Sequence, residues 1–133
     1  MATIHLQASG DTWWRQSQQD LRAAEHLLQG GFARHAAVMA HLAVEKALKA
    51  AYRAQHSEAP PVSHDVAYLA DQLTWPEAMP YDHARSLDAL ARHGVVALYS
   101  DQAFGAGVPS DRDEARARVA DAHYLIETLG RMT

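Results

Sequence analysis

Residues 40–52 read AHLAVEKALKAAY. A helix running from about Phe32 to Gln55 accounts for this stretch and its flanks. On a wheel of about 100° per residue, Ala37, Met39, Ala43, Val44, Ala47, Ala50 and Ala51 spread over well over half of the circumference. A helix apolar nearly all round belongs at the centre of a bundle, and its many alanines let neighbouring helices approach closely. The remaining stripe is Arg34, Val38, His41, Glu45, Lys49 and Tyr52. His41 and Glu45 stand four apart, as do Glu45 and Lys49, so each pair can touch. Lys46 lies off this stripe and is expected to reach solvent by extending its stem. The stripe has two readings. It is either an exposed or half-buried face carrying ion pairs worth ~0.3–0.5 kcal/mol each, or a polar seam at a dimer or ligand surface. In the second case Arg34, His41 and Lys49 are the groups able to hold phosphate.

Working outward, the sequence predicts a first helix from Ser9 or Asp11 to Gly30–Gly31, where the glycines can adopt the left-handed conformation that stops a helix. Trp14, Leu21, Ala24 and Leu28 form its apolar stripe. Pro60 and Pro61 end the second helix. Ser63 or Asp65 then caps a short helix in HDVAYLADQL, with His64 packed back on the second helix. A fourth helix is predicted from Tyr81 to Tyr99. A fifth begins after Ser110, with Ala115, Val119, Ala122, Ile126 and Leu129 on its buried face. No segment alternates in the manner of a strand. The expected fold is all-α: an antiparallel up-and-down bundle of four long helices plus one short helix, forming one domain over residues 1–133.

The net charge of −4 argues against coating nucleic acid by bulk charge. The twelve basic residues are ten Arg and two Lys, and both lysines lie in the opening stretch. The absence of Cys excludes disulfides and thiolate chemistry. No apolar run approaches the roughly 20 residues of a membrane span, and the N-terminus lacks the pattern of a signal peptide. A cytoplasmic location is therefore expected. No metal is expected either: His41 and Glu45 alone fall short of the carboxylate-rich sets of metal-binding bundles. Ser63, His64 and Asp65 are adjacent and cannot face one another as a triad. Trp13, Trp14 and Trp75 read as core or rim residues, with Trp13 also a possible partner anchor.

The stretch DLRAAEHLLQGGFARHAAVMAHLAVEKALKAAY, followed by SHDVAYLADQL, resembles the HEPN domain (higher eukaryotes and prokaryotes nucleotide-binding). The matching residues are Asp20, Leu21, Ala24 and Leu28, then Ala43, Glu45, Lys46, Ala47, Leu48 and Lys49, then His64 and Asp65. The resemblance implies a helical bundle, often a homodimer, associated with nucleotide or RNA. It also implies partnership with a small nucleotidyltransferase in a toxin–antitoxin-like pair. Catalytic members resembling this chain are metal-independent ribonucleases carrying an Arg, four to six residues, then a His near the later helices. Here the corresponding stretch is YSDQAFGAG. Tyr99 keeps an aromatic, but Ala103 stands where an Arg is expected, with Asp101 nearby. Arg34 and His41 have the right spacing but sit on the second helix, which reads as coincidence. An acid–base ribonuclease without its Arg lacks support for the charge on the reacting phosphate.

The expected function is thus a non-catalytic, nucleotide- or RNA-associated accessory partner of a nucleotidyltransferase, needing no cofactor. Its binding candidates are Arg34, His41, Glu45, Lys49, His64 and Tyr99. The alternatives are a ribonuclease with a non-standard site and a purely structural dimerisation module.

Overall fold

The computed structural model describes residues 10–75, 81–94 and 111–132. Among the described residues the protein is all-α, with helices α1 (Gly10–Gln29), α2 (Ala33–His56), α3 (Val66–Asp71), α4 (Tyr81–Ala91) and α5 (Asp111–Met132). Together they form a helical bundle.

The end of α1 is set by two glycines. Gly31 takes φ of 87°, the Phe32 N–H bonds the Leu27 carbonyl, and the Gly31 N–H bonds the Leu28 carbonyl. This paired closure satisfies carbonyls that the helix would otherwise leave open, and it turns the chain directly into α2. Asp65 caps α3 by accepting from the backbone N–H groups of Ala67 and Tyr68. Ser63 stands one step back and accepts from the Asp65 N–H. α4 is described as helix to Ala91, followed by a tight turn in which the Arg92 and His93 N–H groups reach back three residues. The expected continuation to Tyr99 and the Ser110 cap fall outside the described residues.

α2 contacts every other helix, as its apolar circumference requires. Ala37, Ala43, Val44, Ala47, Leu48 and Ala51 are fully buried, and they pack with Leu21 and Ala24 of α1, Leu69 of α3, Leu90 of α4 and the five expected stripe residues of α5. Small side chains bring α1 close to α2. Ser17, wholly buried, donates to the Ala43 carbonyl at 2.8 Å. It continues the Trp14, Leu21, Ala24, Leu28 stripe at its missing position. Gly130 of α5 lies beside the Trp14 ring; a Cβ there would come within 3.1 Å of it.

Two expectations about polar residues change. Lys46 does not extend into solvent. Its ammonium lies 2.8 Å from Asp20 and is mostly covered, tying α2 to α1. The His41–Glu45–Lys49 stripe is not an exposed or half-buried face: the three residues are 3%, 4% and 7% exposed. The turn after α4 and the loop before α3 cover the face that the wheel leaves polar.

Candidate functional site

Four of the six sequence candidates meet at one place. His41 Nδ1 lies 2.7 Å from the Leu90 carbonyl oxygen, and its Nε2 lies 3.2 Å from the His64 carbonyl oxygen. Glu45 stands one turn along. Its Oε1 is 3.8 Å from His41 Nε2, and its Oε2 accepts from Lys49 Nζ at 3.1 Å and from His64 Nδ1 at 3.0 Å. Lys49 Nζ also sits 5.1 Å from the centre of the Trp13 ring, within range of a cation–π contact. The side chain of His64 is 83% exposed, so it lies over the group from outside.

One buried carboxylate thus gathers nitrogen groups from α2 and the loop before α3, while His41 holds the main chain of α4. A buried charge must be paired to be tolerated, and here each charge has a partner within the bundle. The arrangement is a clasp that fixes the loop before α3 and the end of α4 to α2. The other two candidates stand apart. Arg34 lies in the first turn of α2, about 10 Å along the axis from His41, with its Nε 3.8 Å from Asp111. Tyr99 falls outside the described residues, as do Asp101 and Ala103. No three His, Asp or Glu side chains gather as a metal-ligand set among the described residues.

The sequence reading missed a second constellation. α4 and α5 enclose an open cleft of about 620 Å³, lined by Arg85, Ser86, Asp88 and Arg92 from α4 and the turn after it, and by Arg118, Asp121 and Tyr124 of α5. A hydrogen-bonded chain forms its wall. Buried His93 donates from Nε2 to Glu114 Oε1 at 3.1 Å. Arg118 donates to the same oxygen at 2.7 Å and to Asp121 at 2.9 Å. Ser86 completes the chain to Asp121 at 2.9 Å. Burial pushes the His93 imidazole below its ordinary range, a shift that its bond to Glu114 opposes without reversing. For Glu114, burial alone would raise the carboxyl, but His93 and Arg118 outweigh it and hold the group below its usual range. Tyr124 stacks on His83 with ring centres 4.5 Å apart and planes 7° apart. The spacing of Arg85, Asp88 and Arg92 marks one face of α4, and that of Arg118, Asp121 and Tyr124 one face of α5. That the two faces meet is a matter of packing.

The model of the HEPN domain family matches residues 11–132. The chain belongs to the HEPN domain family. No curated protein matches the sequence. Two solved structures share the fold. One is TT1696 from Thermus thermophilus, with a TM-score of 0.78 at 21% identity, covering 93% of this chain and 98% of that one. The other is ST0689, described as an archaeal HEPN homologue, with a TM-score of 0.74 at 20% identity, covering 95% and 99%. At such identities the likeness concerns the fold. Within this HEPN domain the EKALKA stretch supplies both the central apolar helix and, through Glu45 and Lys49, the clasp. No helix among the described residues is long and apolar enough to cross a membrane.

Proposed function

We propose that this HEPN-domain protein associates with nucleotide or RNA without turning it over, and serves as the accessory partner of a nucleotidyltransferase in a toxin–antitoxin-like pair. The observation that carries the non-catalytic reading is the placement of His41. It follows Arg34 at the spacing of the catalytic relatives, and it is buried with both ring nitrogens held against main-chain oxygens; His123 of α5, which follows Arg118 and Arg116 with four and six residues between, is bound to Glu25 at 2.6 Å, and Arg118 is bound to Glu114 and Asp121. A general acid or base must come within about 2.6–3.2 Å of the proton it moves, and His41 has no such access. Arg34 lies beside Asp111, with its Nε 3.8 Å from that carboxylate. The binding reading draws on family membership and on the arginine-bearing α4–α5 cleft. In this reading residues 1–133 act as one domain in the cytoplasm. The protein is a homodimer, with exposed Phe32 and Tyr68 offering apolar area to a second copy.

The test is a labelled single-stranded RNA incubated with purified protein in EDTA, together with an anisotropy titration of the same RNA and of ATP. Saturable binding with intact RNA is expected. Cleavage that co-purifies with the protein through several columns would favour a ribonuclease instead. Absence of any binding would leave a structural dimerisation module. For the partnership, co-expression with a nucleotidyltransferase encoded beside it should give one co-eluting complex, and two separate peaks would remove that part of the proposal.

A further inference from the structure

The negative charge of the chain is concentrated in one stretch. Residues 54–84 hold five carboxylates, Glu58, Asp65, Asp71, Glu77 and Asp82, and no Lys or Arg. The other eleven carboxylates stand against all twelve Lys and Arg, so this stretch carries −5 and the rest of the chain +1. The fold gathers its first part around the C-terminal end of α2. Gln55 exchanges two bonds of 2.7 Å with the main chain of Thr74, and the Tyr52 hydroxyl donates to Glu58 at 3.2 Å. Glu58, Asp65 and Asp71 are exposed, and none of them forms an ion pair among the described residues. The nearby imidazoles are already engaged, His56 with the Gln72 carbonyl and His64 with Glu45.

Within this acidic end one apolar side chain is held out into solvent. Val62, in the loop before α3, is 96% exposed, and the chain on either side of it is fixed. Ser57 turns with φ of 55° and its N–H bonds the Arg53 carbonyl. Pro60 and Pro61 restrict their own φ and the residue before them. Beyond Val62, Ser63 accepts from the Asp65 N–H, the His64 carbonyl lies against His41, and Asp65 Oδ1 takes both bonds that cap α3. A loop pinned at both ends loses little freedom when a partner covers it.

The charge selects what that partner is. Three carboxylates without a cationic partner repel the phosphates of nucleic acid and of an anionic membrane surface. A small polyvalent cation answers the carboxylates but leaves Val62 in water. A second copy in a two-fold contact at this loop brings the same carboxylates face to face, and like charges oppose it. A protein segment with Lys or Arg beside an apolar residue meets both demands. We infer that the loop before α3 and its flanks are a docking surface for a basic protein segment. Lys or Arg of that segment meets Glu58, Asp65 and Asp71, while an apolar residue covers Val62. The inference is independent of the nucleotide- or RNA-associated reading, and the α4–α5 cleft has no part in it.

The experiment titrates the full chain with a labelled synthetic peptide that carries Lys and Leu on one helical face. Two further peptides serve as comparisons, one with Gly in place of Leu and one with Gln in place of Lys. The Lys–Leu peptide should bind, and more weakly as salt is raised. Val62→Ser should weaken it about tenfold, the scale for an apolar side chain of this size leaving a buried contact. Glu58→Gln and Asp71→Asn should each weaken it by up to about fivefold and reduce its salt dependence. Glu127→Gln, which removes an exposed carboxylate of α5, should bind as the parent does. Val62 and Asp71 make no bond within the described residues, so their variants keep the fold, and thermal melts verify it for all four. No binding of the Lys–Leu peptide would overturn the proposal. Equal binding of the Gly-substituted peptide would reduce the effect to plain charge attraction and overturn the role of Val62. Equal binding of the Gln-substituted peptide would overturn the role of the carboxylates. Binding that Val62→Ser and Asp71→Asn leave unchanged would place the contact elsewhere and overturn the surface.

Discussion

Replacing Glu45 with Ala removes the one carboxylate on which the clasp depends. Its three neighbours, His41, Lys49 and His64, are unequal. His64 is exposed, so its contact is worth at most ~1 kcal/mol. His41 and Lys49 are buried, and without Glu45 they are left as two donors with no acceptor carboxylate between them. Removing one partner of a buried pair costs ~3–5 kcal/mol, out of a total stability of ~5–15 kcal/mol for a domain of ordinary size. Lys49→Met should cost less, ~1–3 kcal/mol, because Glu45 keeps its contacts with His41 and His64 and the methionine fills much of the space. The double variant Glu45→Ala, Lys49→Met should cost at least ~1.5 kcal/mol less than the sum of the two single changes, since it removes both charges together. Urea unfolding followed by circular dichroism reads these differences. With a slope of ~2 kcal/mol per molar, Glu45→Ala should lower the midpoint by about 2 M. A shift under about 0.5 M with the slope unchanged, or strict additivity in the double variant, would refute the clasp.

Val44 is fully buried in α2, so Val44→Asp should lower Tm by ten degrees or so, or prevent folding; a melt within two or three degrees of the parent would contradict the central placement of α2. Stability should fall as pH drops through about 6.5. The folded state holds His93 below that ordinary value, so the unfolded chain takes up a proton that the folded one resists. It should fall again near pH 4.5, because Glu114 is held below that value and its carboxylate protonates first in the unfolded chain. Melts between about pH 7 and pH 4 should show both declines, and His93→Gln should flatten the first. Light scattering at micromolar concentration should give twice the mass of one chain, and a monomer at every concentration would remove the proposed homodimer.

The bundle was legible because helical periodicity is a local property. The apolar circumference of α2, the stripe of α5 and the glycine stop at Gly30–Gly31 each follow from residues a few positions apart. The polar stripe was legible only in part. Spacing placed His41, Glu45 and Lys49 on one face, but burial depends on what covers that face, and the cover includes the Leu90 and His64 carbonyls. Main-chain atoms leave no mark in the identity of distant residues. Ser17 was missed for a similar reason: its hydroxyl is tolerated in the core because the Ala43 carbonyl accepts from it. Lys46 looked solvated until α1 placed Asp20 beside it. The α4–α5 cleft needed two polar faces, each readable as a solvated surface by itself, to be brought together by the packing of two helices.

The proposed function separates the clasp, which holds the bundle, from the α4–α5 cleft, where nucleotide or RNA is proposed to bind. An amide chemical-shift titration of the labelled protein with AMP tests it directly. The account predicts saturable shifts concentrated at residues 83–92 and 118–128, with those at 41–49 and 64 nearly still. Shifts centred on His41, Lys49 and His64, with the cleft unmoved, would contradict it.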